Sequence, residues 1–411
     1  YYLASICFSG QTYCGSLKLN NIPKINQADP IPEAARSDIE NLLSTGDLFR
    51  YTNDNSAVFT LEQNFASKIG APYALAVSSC SAALFLALKT LSLPANAKVL
   101  IPAFTFGAVP SAVVHANCIP VLCECGTDYR IDLDDFLIKL QLVDAVLISH
   151  MRGHTSDMDK ILSQCEKLGV PVIEDAAHSL GTTWRGKNIG TFGRLGCFSF
   201  QSYKLLNSGE GGMLITDDPD CFAKAVVMSG AYEHNWEKHH GERHFFEKWQ
   251  NQLPLYNMRL NNLSALIVDS QIPYLDARIE NGRRNHDIAA KILSHSEWIH
   301  VPEKFEHEAR APDSIQFNLV GLTPLEVSQF CDLINRMGVA LQVFGNSKDN
   351  ARAFWNWDFL PERYSLPKTR EMLMNACDVR LPARLNVDDC KSIAEMILEA
   401  LSQIKNNIAA E

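Results

Sequence analysis

Residues 145–175 read AVLISHMRGHTSDMDKILSQCEKLGVPVIED, and this stretch decides the fold class. Two apolar runs of strand length, 145–149 and 170–174, flank a segment with helical periodicity over 157–168. Gly169 directly follows that segment, at the position where a glycine commonly ends a helix. A strand, a helix and a second strand joined by short loops are typical of a right-handed crossover between parallel strands.

The same alternation extends from about residue 60 to residue 230. The other strands that it predicts are 73–77, 98–101, 120–124, 196–200 and 213–216. The other predicted helices are 81–91, 107–116 and 219–228. The pattern therefore predicts a three-layer α/β fold, in which helices cover both faces of a mainly parallel seven-stranded sheet. Ligand sites of such sheets lie at the carboxyl ends of the strands.

The pattern changes in the second half of the chain. Residues 231–262 have no clear apolar face and predict a long functional or partner-covered loop. Beyond residue 275, long helical segments (283–293, 324–337, 393–404) and isolated strands (314–320, 340–343) predict a smaller α+β unit. The predicted domains are an N-terminal extension, a large ligand-binding domain and a small C-terminal domain, over residues 1–30, 31–275 and 276–411.

Composition and charge exclude several classes of protein. With 46% hydrophobic and 20% charged residues, the 411-residue chain is globular rather than disordered. A net charge of -10 argues against binding along nucleic acid or an anionic membrane, so any phosphate should be held locally. The twelve cysteines form no CxxC pair, so we expect free thiols and no metal site.

We expect a cytoplasmic protein. The apolar N-terminal segment YYLASICF is only eight residues long and follows no basic region, which makes it a poor signal peptide. No later run approaches the roughly 20 apolar residues that a membrane-spanning helix needs.

The motif VIEDAAHS, residues 172–179, ends a predicted strand in two carboxylates. Asp175 is well placed there to face a ligand, and His178 lies three residues further on. An equally simple interpretation makes Asp175 the cap of a following helix.

The motif SFQSYKLLNSGEGG, residues 199–212, places Lys204 between a predicted strand and a glycine-rich turn. A lysine against an apolar wall shifts toward its neutral amine, the form that makes an imine with a carbonyl. The alternative is a solvated surface lysine. Gly209, Gly211 and Gly212 would let backbone approach a ligand closely, or would simply form a tight turn.

Two further motifs complete a pattern. In AVSSCSAALFLAL, residues 76–88, a helix begins near Ser81, and the free amides at a helix start bind phosphate. In PAFTFGA, residues 102–108, a ring of Phe104 or Phe106 could stack on a flat cofactor, although such rings are more often core. A phosphate cradle, a stacking ring, an aspartate for a pyridine nitrogen and a later lysine together indicate a pyridoxal phosphate site.

The chain resembles the DegT/DnrJ/EryC1/StrS family of pyridoxal phosphate-dependent sugar aminotransferases, which have the aspartate aminotransferase fold, fold type I. The resemblance runs from about Ile31 to the C-terminus. It is carried, in chain order, by TGDLFRY, LAVSSCSAAL, IPAFTFGAVPSAVVHANCIPVL, ISHMRGHTSDMD, VIEDAAHSLGTTWRGKNIGTFG, FSFQSYKLLNSGEGGMLITDD and YNMRLNNLSA.

This resemblance implies roles for three catalytic residues. Lys204 would form the Schiff base with the cofactor, and Asp175 would bind its pyridine nitrogen. His178 would lie near the cofactor ring and its hydroxyl. The implied reaction moves an amino group from glutamate or glutamine to a keto group of a sugar or sugar-like biosynthetic intermediate.

The resemblance also implies the residues that hold the cofactor. Ser199, Cys80 and Ser81 would bind the phosphate, and Phe106 would stack on the ring. Asn257 would reach the phosphate from a neighbouring subunit, which implies a homodimer with shared active sites.

The sequence departs from the family pattern in two places. Many relatives have Gly-Thr where this chain has Cys80 and Ser81, a change that keeps the backbone amides. Arg152 stands where many sugar-processing members carry an aromatic residue, and it would meet an acidic substrate or pair with a carboxylate of the fold. We also expect substrate contacts at His154, at residues 50–51 and in the segment 232–249.

Two other functions remain open from the sequence. One keeps pyridoxal phosphate but performs elimination, cyclisation or racemisation on an amino-acid-like substrate. The other is a regulator that binds the cofactor without turnover. Members that dehydrate their substrate replace the lysine with histidine, so Lys204 favours transamination.

Overall fold

The computed structural model describes residues 23–408. The segment YYLASICF and most of the predicted N-terminal extension lie outside the described residues. No helix within residues 23–408 is both long and apolar enough to cross a membrane.

The helices and strands are numbered in chain order. The helices are α1 Arg36–Thr45, α2 Ala57–Ile69, α3 Cys80–Thr90, α4 Ala108–His115, α5 Leu133–Leu140, α6 Met158–Leu168, α7 Pro219–Gly230, α8 Arg243–Trp249, α9 Asn262–Asp269, α10 Leu275–Leu293, α11 Pro324–Arg336, α12 Pro367–Asn375 and α13 Val387–Ile408. The strands are β1 Tyr73–Val77, β2 Lys98–Pro102, β3 Ile119–Cys123, β4 Ala145–Ser149, β5 Val172–Asp175, β6 Thr183–Trp184, β7 Lys187–Asn188, β8 Leu195–Ser199, β9 Gly212–Thr216, β10 Ile299–His300, β11 Glu308–Ala309, β12 Ser314–Leu319, β13 Leu341–Val343 and β14 Ala376–Arg380.

The central sheet has seven strands in the order β1-β9-β8-β5-β4-β2-β3. The pairs from β3 to β8 are parallel, and β9 runs antiparallel to both of its neighbours. Each of its strands was predicted within two residues of its observed bounds, and the mainly parallel seven-stranded sheet is confirmed. Gly169 ends α6 in the left-handed region, with φ at 66°, as expected for the quoted crossover.

Helices cover both faces of this sheet because its strands are apolar on both sides. Leu75 and Val77 of β1 pack in one buried cluster with α3, α4 and α7. Ala74 and Ala76 of the same strand pack in the other, with α2, α5, α6 and α9. Alternate residues of a strand point to opposite faces, so this arrangement is the predicted three-layer fold.

A second, four-stranded antiparallel sheet in the order β10-β12-β14-β13 lies in the C-terminal part. It packs with α10, α11 and α13 around a buried cluster of its own, in agreement with a smaller α+β unit. The sequence pattern missed β14, the central partner of β12 and β13. The division at residues 275 and 276 stays a prediction, and α10 begins at Leu275.

The prediction that residues 231–262 lack an apolar face was wrong. Trp236 and Phe246 are buried, and their rings stack with centroids 5.5 Å apart. Phe246 belongs to α8, which packs on α7. Phe245, Phe246 and Trp249 lie on one face of α8 and pack against the buried cluster that includes α7.

Candidate active site

A cavity of about 490 Å³ opens at the carboxyl ends of the parallel strands. This is where open α/β sheets carry ligand sites. Seven of the eight residues predicted for the site line it: Cys80, Ser81, Phe106, Asp175, His178, Ser199 and Lys204. Segments 124 residues apart in the chain therefore meet in one cavity, from Cys80 to Lys204.

Asp175 is the last residue of β5 and is buried. Its carboxylate accepts hydrogen bonds from the Ser149 hydroxyl at 2.7 Å and from the Ala177 amide at 3.1 Å. The Cys80 thiol lies 3.9 Å from the same carboxylate. Since no helix directly follows β5, Asp175 does not cap one, and its carboxylate faces the cavity on a rigid strand end.

Lys204 and His178 are in direct contact. The Lys204 Nζ atom lies 3.2 Å from Nδ1 and 3.1 Å from Nε2 of His178. Burial lowers the pKa of Lys204 from 10.5 to about 8, although the carboxylate of Asp313 opposes the shift. Burial and the neighbouring Lys204 cation hold the pKa of His178 well below its usual value. The site therefore favours a neutral imidazole beside an amine that deprotonates more readily than a solvated lysine.

The start of α3 forms a cradle beside β8 and β9. Ser79 caps the helix by accepting a hydrogen bond from the Ala82 amide at 3.0 Å. The first amides of a helix have no partner within it, so those of Cys80 and Ser81 are available to an anion. Gly212 pairs with Ser199 of β8, and a side chain at Gly212 would lie 2.4 Å from the Ser79 carbonyl carbon. The absence of a side chain at Gly212 thus allows the backbone of Ser79 and Cys80 to lie directly against β9.

The two phenylalanines of PAFTFGA have different surroundings. Phe104 is 1% exposed and packs in the core, while Phe106 is 46% exposed and lines the cavity. The residue pattern alone left both rings possible as the stacking group, and the family resemblance implied Phe106. Only the Phe106 ring is available to a ligand.

Asn257 does not line the cavity and is exposed. Its flanking residues fix its segment, because the Tyr256 amide donates to Met228 and the Met258 carbonyl accepts from Ser78. Contribution of Asn257 to a neighbouring subunit's phosphate site stays a prediction.

Arg50 and Tyr51, expected at the substrate, are instead buried. Arg50 forms a bidentate ion pair with Glu62, both contacts at 2.7 Å, and its Nη2 lies 3.0 Å from His239 Nδ1. The Tyr51 hydroxyl lies 2.9 Å from His239 Nε2. These residues tie the segment 231–262 to α2 and do not line the cavity.

The side chains of His154 and Arg152 differ in their position relative to the cavity. His154 is buried, with Nε2 2.9 Å from Gln316 Oε1, and does not line the cavity. Arg152 lines the cavity and also pairs with Asp378. The pairing of Arg152 with a carboxylate of the fold is therefore observed, and its contact with an acidic substrate stays a prediction.

Sequence reasoning missed Asp313, Arg352 and Arg380, which line the cavity from the C-terminal part of the chain. They lie in three separate segments without a motif. A strand-end arginine would have been noticed at Arg380, the last residue of β14, had that strand been predicted.

Comparison with known proteins identifies the family of this chain. The sequence model of the DegT/DnrJ/EryC1/StrS aminotransferase family matches residues 32–398. The putative pyridoxal phosphate-dependent aminotransferase EpsN of Bacillus subtilis is 33% identical over 256 residues, which are 60% of this chain and 63% of EpsN. The 3-amino-5-hydroxybenzoate synthase of Amycolatopsis mediterranei is 28% identical over 79% of this chain and 82% of its own.

The chain thus aligns with about three fifths of the length of EpsN and of the Bacillus subtilis spore coat polysaccharide biosynthesis protein SpsC. Among solved structures, a 3-amino-5-hydroxybenzoic acid synthase has a TM-score of 0.79 at 23% identity, covering 92% of this chain and 100% of its own. The putative sugar aminotransferase Spr1654 of Streptococcus pneumoniae has a TM-score of 0.81 at 19% identity, with coverage of 92% and 99%. These likenesses show fold type I, and the match to the family model shows that the chain belongs to the DegT/DnrJ/EryC1/StrS aminotransferase family.

Proposed function

We propose that this protein is a pyridoxal phosphate-dependent aminotransferase that delivers an amino group to a keto group of a sugar or sugar-like biosynthetic intermediate. The observation that carries the proposal is the meeting of Lys204, His178 and Asp175 in one cavity with the start of α3. Family membership supports the same activity.

The residues present fit pyridoxal phosphate. The amides at the start of α3, with the hydroxyls of Ser81 and Ser199, would hold the phosphate, since this helix end offers unpaired donors. The close approach of Gly212 to Ser79 fixes that cradle against the strand ends. The Phe106 ring would cover one face of the pyridine ring.

When bound, the cofactor supplies an electron sink for charge that develops at the substrate's reacting carbon. Asp175 would keep the pyridine nitrogen protonated, and the Ser149 hydroxyl orients its carboxylate. Lys204 would hold the cofactor through its amine and then carry a proton at the reacting carbon. A pKa of about 8 suits both tasks, because the neutral amine is then accessible near neutral pH.

His178 would act beside Lys204 as a neutral hydrogen-bonding partner. Its ring nitrogens contact Nζ, and burial with neighbouring cations disfavours the imidazolium. A neutral ring can accept the proton of a Lys204 ammonium as a hydrogen bond, which orients the amine toward the cofactor.

The names of relatives support a ring ketone as acceptor and an amino acid as donor. A Micromonospora echinospora relative, 29% identical over 219 residues, is named a putative L-glutamine:3-amino-2,3-dideoxy-scyllo-inosose aminotransferase. Another, in Vibrio cholerae, is a GDP-perosamine synthase, 28% identical over 302 residues. We propose glutamate or glutamine as the donor for this chain.

A homodimer with shared active sites forms part of the proposal. Asn257 is exposed. Two residues further along the chain, the guanidinium of Arg259 lies 5.5 Å from the ring centroid of Phe49 and 5.7 Å from that of Tyr232, and both rings are exposed. Exposed aromatic rings at this position favour contact with a second copy of the chain. Asn257 does not line the cavity of its own chain, so such a contact would give it a role in the partner's cavity. The ten free cysteines among the described residues support a cytoplasmic location.

The test uses the cofactor-loaded protein and amino donors alone. We expect L-glutamate or L-glutamine to remove the visible absorbance of the lysine-bound cofactor and to release the matching keto acid. The reverse conversion should follow when a keto sugar is added. If no amino donor changes the spectrum while an amino-acid-like substrate is eliminated or racemised, the proposal is wrong and the rival reaction is established.

A further inference from the structure

Strand β12 carries a row of buried polar side chains. Its sequence SIQFNL alternates polar and apolar residues, and alternate residues of a strand point to opposite faces. The apolar residues pack in the buried cluster of the C-terminal part. The polar residues Ser314, Gln316 and Asn318 are also buried, with 5% exposure or less. Buried polar groups need hydrogen-bond partners, so the polar face of β12 must meet polar groups of other segments.

Gln316, in the middle of that row, has partners on both sides. Its Oε1 atom lies 2.9 Å from Nε2 of His154, in the segment after β4. Its Nε2 atom donates to Asp378 Oδ1 at 2.8 Å and to Ser314 Oγ at 2.9 Å. Asp378 stands directly opposite Gln316 in the pairing of β12 with β14, and its other carboxylate oxygen accepts from Arg152. A relay of contacts therefore runs from His154 through Gln316 and Asp378 to Arg152.

A further neighbour of His154 determines which ring nitrogen carries the proton. Nη1 of the buried Arg310 lies 3.1 Å from Nδ1 of His154, and a guanidinium can only donate. Nδ1 therefore accepts, and the proton of the neutral ring lies on Nε2, which donates it to Gln316 Oε1. Burial and the cations of Arg310 and Arg130 hold the pKa of His154 well below its usual value, which keeps the ring neutral. Every donor of the relay then meets an acceptor.

The relay ends on a side chain with few other contacts. Arg152 lines the cavity, and its Nε atom is buried without a hydrogen-bond partner. Among residues 23–408, Asp378 is the only side chain that the Arg152 guanidinium contacts by a hydrogen bond or ion pair. A buried ion pair is stable only when its remaining hydrogen-bonding capacity is satisfied, and Gln316 supplies that bond to Asp378. The position of the guanidinium thus depends on the relay.

Arg152 shares the cavity with Lys204 and with other charged or titratable groups. These others are Cys80 of α3, Asp175 of β5, His178 after β5, Tyr203 after β8, Glu210 before β9, Asp313 before β12, Arg352 after β13 and Arg380 of β14. Burial is the main cause of the lowered pKa of Lys204, and the Arg152 cation adds to it, whereas Asp313 and Asp175 oppose it. A guanidinium held in the cavity therefore favours the neutral amine of Lys204.

We propose that His154 and Gln316 are positioning residues, which act through Asp378 to hold the guanidinium of Arg152 in the cavity of Lys204. Two strands of the C-terminal sheet thus fix a charge at the carboxyl ends of the large sheet. An arginine released from the relay would move away from Lys204, because like charges repel. The inference rests on the proposed function only in that the function gives the Lys204 amine its task.

Nitrogen NMR of the cofactor-loaded protein with nitrogen-15-labelled histidine tests the relay itself. At pH 7 the ring of His154 should give the signals of a neutral imidazole with its proton on Nε2. The variant H154Q identifies these signals by their absence. A proton on Nδ1, or an imidazolium at pH 7, would overturn the proposal, because neither ring can accept from Arg310.

Acetylation by acetic anhydride measures the effect on Lys204, because only the neutral amine reacts. The full-length protein is used without cofactor, which would occupy the amine, and peptide mass spectrometry follows the rate against pH. R152M should raise the pKa of Lys204 and slow its acetylation at pH 7 about threefold or more, with an unchanged maximal rate at high pH. Q316L and H154L should each slow it about twofold, and neither should slow it further when combined with R152M.

Two variants separate positioning from a general structural role. H154Q keeps a donor and an acceptor and should restore most of the rate that is lost in H154L. N318A is the matched control, because Asn318 lies on the same face of β12 and bonds to Tyr129 and Thr127 outside the relay. It should lower the melting temperature but leave the acetylation of Lys204 unchanged.

Wild-type acetylation rates in folded Q316L and H154L would overturn the proposal, and so would equal slowing in N318A and Q316L. If both leucine variants unfold, the NMR signals of His154 still decide, since a ring with its proton on Nδ1 cannot form the relay. Neither experiment contains an amino donor. The relay can therefore fail while the proposed aminotransferase reaction stands, and the reaction can fail while the relay stands.

Discussion

The Nζ atom of Lys204 is almost equidistant from the two ring nitrogens of His178, at 3.2 Å from Nδ1 and 3.1 Å from Nε2. The two residues are 26 positions apart, and β6, β7 and β8 separate them in the chain. Their contact brings together the turn after β5 and the turn after β8, two adjacent parallel strands of the sheet. The reacting amine is thus held by the sheet itself, with Asp175 at the end of the same β5.

Replacement of Asp175 by asparagine should reduce turnover with little change in cofactor content. The variant keeps the side chain's size and its bond to Ser149 but loses the charge that would keep the pyridine nitrogen protonated. Loss of such a preorganised charge costs about a hundredfold or more in rate. Stopped-flow measurement of the glutamate half-reaction checks this value.

The Ser149→Ala variant is the matched control for Asp175. It removes one hydrogen bond to the carboxylate, worth about 1 kcal/mol, and should slow the same half-reaction about fivefold. A greater effect of Ser149→Ala than of Asp175→Asn would contradict the assigned role of the carboxylate.

Replacement of Gly212 by alanine should weaken cofactor binding as well as folding. Its Cβ atom would lie 2.4 Å from the Ser79 carbonyl carbon and 2.5 Å from the Cys80 amide nitrogen, so the start of α3 must move. Overpacking of this kind costs about 1–3 kcal/mol. Urea unfolding and fluorescence titration with pyridoxal phosphate measure the two effects.

Gly169→Ala provides the comparison for Gly212. Gly169 has a positive φ of 66° but open space around it, so alanine there adds backbone strain far from the cavity. It should lower the free energy of unfolding by about 1–2 kcal/mol while cofactor affinity stays at the wild-type value. Equal cofactor affinity in both variants would show that the Ser79–Cys80 backbone does not form the cradle.

The two phenylalanines of PAFTFGA should respond differently to alanine. Phe106→Ala removes a half-exposed ring that faces the cavity and should weaken cofactor binding about threefold to tenfold, with little change in stability. Phe104→Ala empties a core position and should lower the free energy of unfolding by about 3–5 kcal/mol. Cofactor titration and urea unfolding of both variants measure these two effects. If cofactor affinity falls in Phe104→Ala but not in Phe106→Ala, Phe106 is excluded as the stacking ring.

The stability of the cofactor-free protein should depend on pH through Lys204. Its pKa is about 8 in the folded chain and 10.5 as a free side chain, so between these values the unfolded state binds more protons. The cost of burying the ammonium is therefore fully present below pH 8 and disappears by pH 10.5. Between pH 8 and pH 10.5, the free energy of unfolding of the wild type should therefore rise by up to about 3 kcal/mol relative to that of Lys204→Met.

Urea unfolding at pH 7, 8.5 and 10 measures that gain. Lys167→Met, at an exposed position of α6, corrects for the general effect of removing a lysine. A difference between wild type and Lys204→Met that stays constant across the three pH values would contradict the lowered pKa.

The sequence predicted the large sheet and its site because both depend on local pattern. Apolar strands, short loops and a glycine stop specify the parallel crossovers, and Asp175 and Lys204 each lie at or after a strand end. The contribution of Asp378 and Arg380 to the site was not predicted, because the strand that carries them, β14, was missed. Asp378 lies in the middle of that strand, where a charged residue interrupts the apolar pattern, and it pairs with Arg152. Similarly, the ion pair of Arg50 with Glu62 is a tertiary contact that no spacing reveals, and its burial removed Arg50 from the expected substrate contacts.

The measurement that tests the central claim most directly is reduction of the cofactor-loaded protein with borohydride, followed by peptide mass spectrometry. The account predicts that the reduced cofactor is attached to the peptide containing Lys204, in close to one copy per chain. It also predicts that the Lys204→Arg protein acquires no label and shows no visible cofactor band. Attachment at any other lysine, or full amino transfer by Lys204→Arg, would contradict the account.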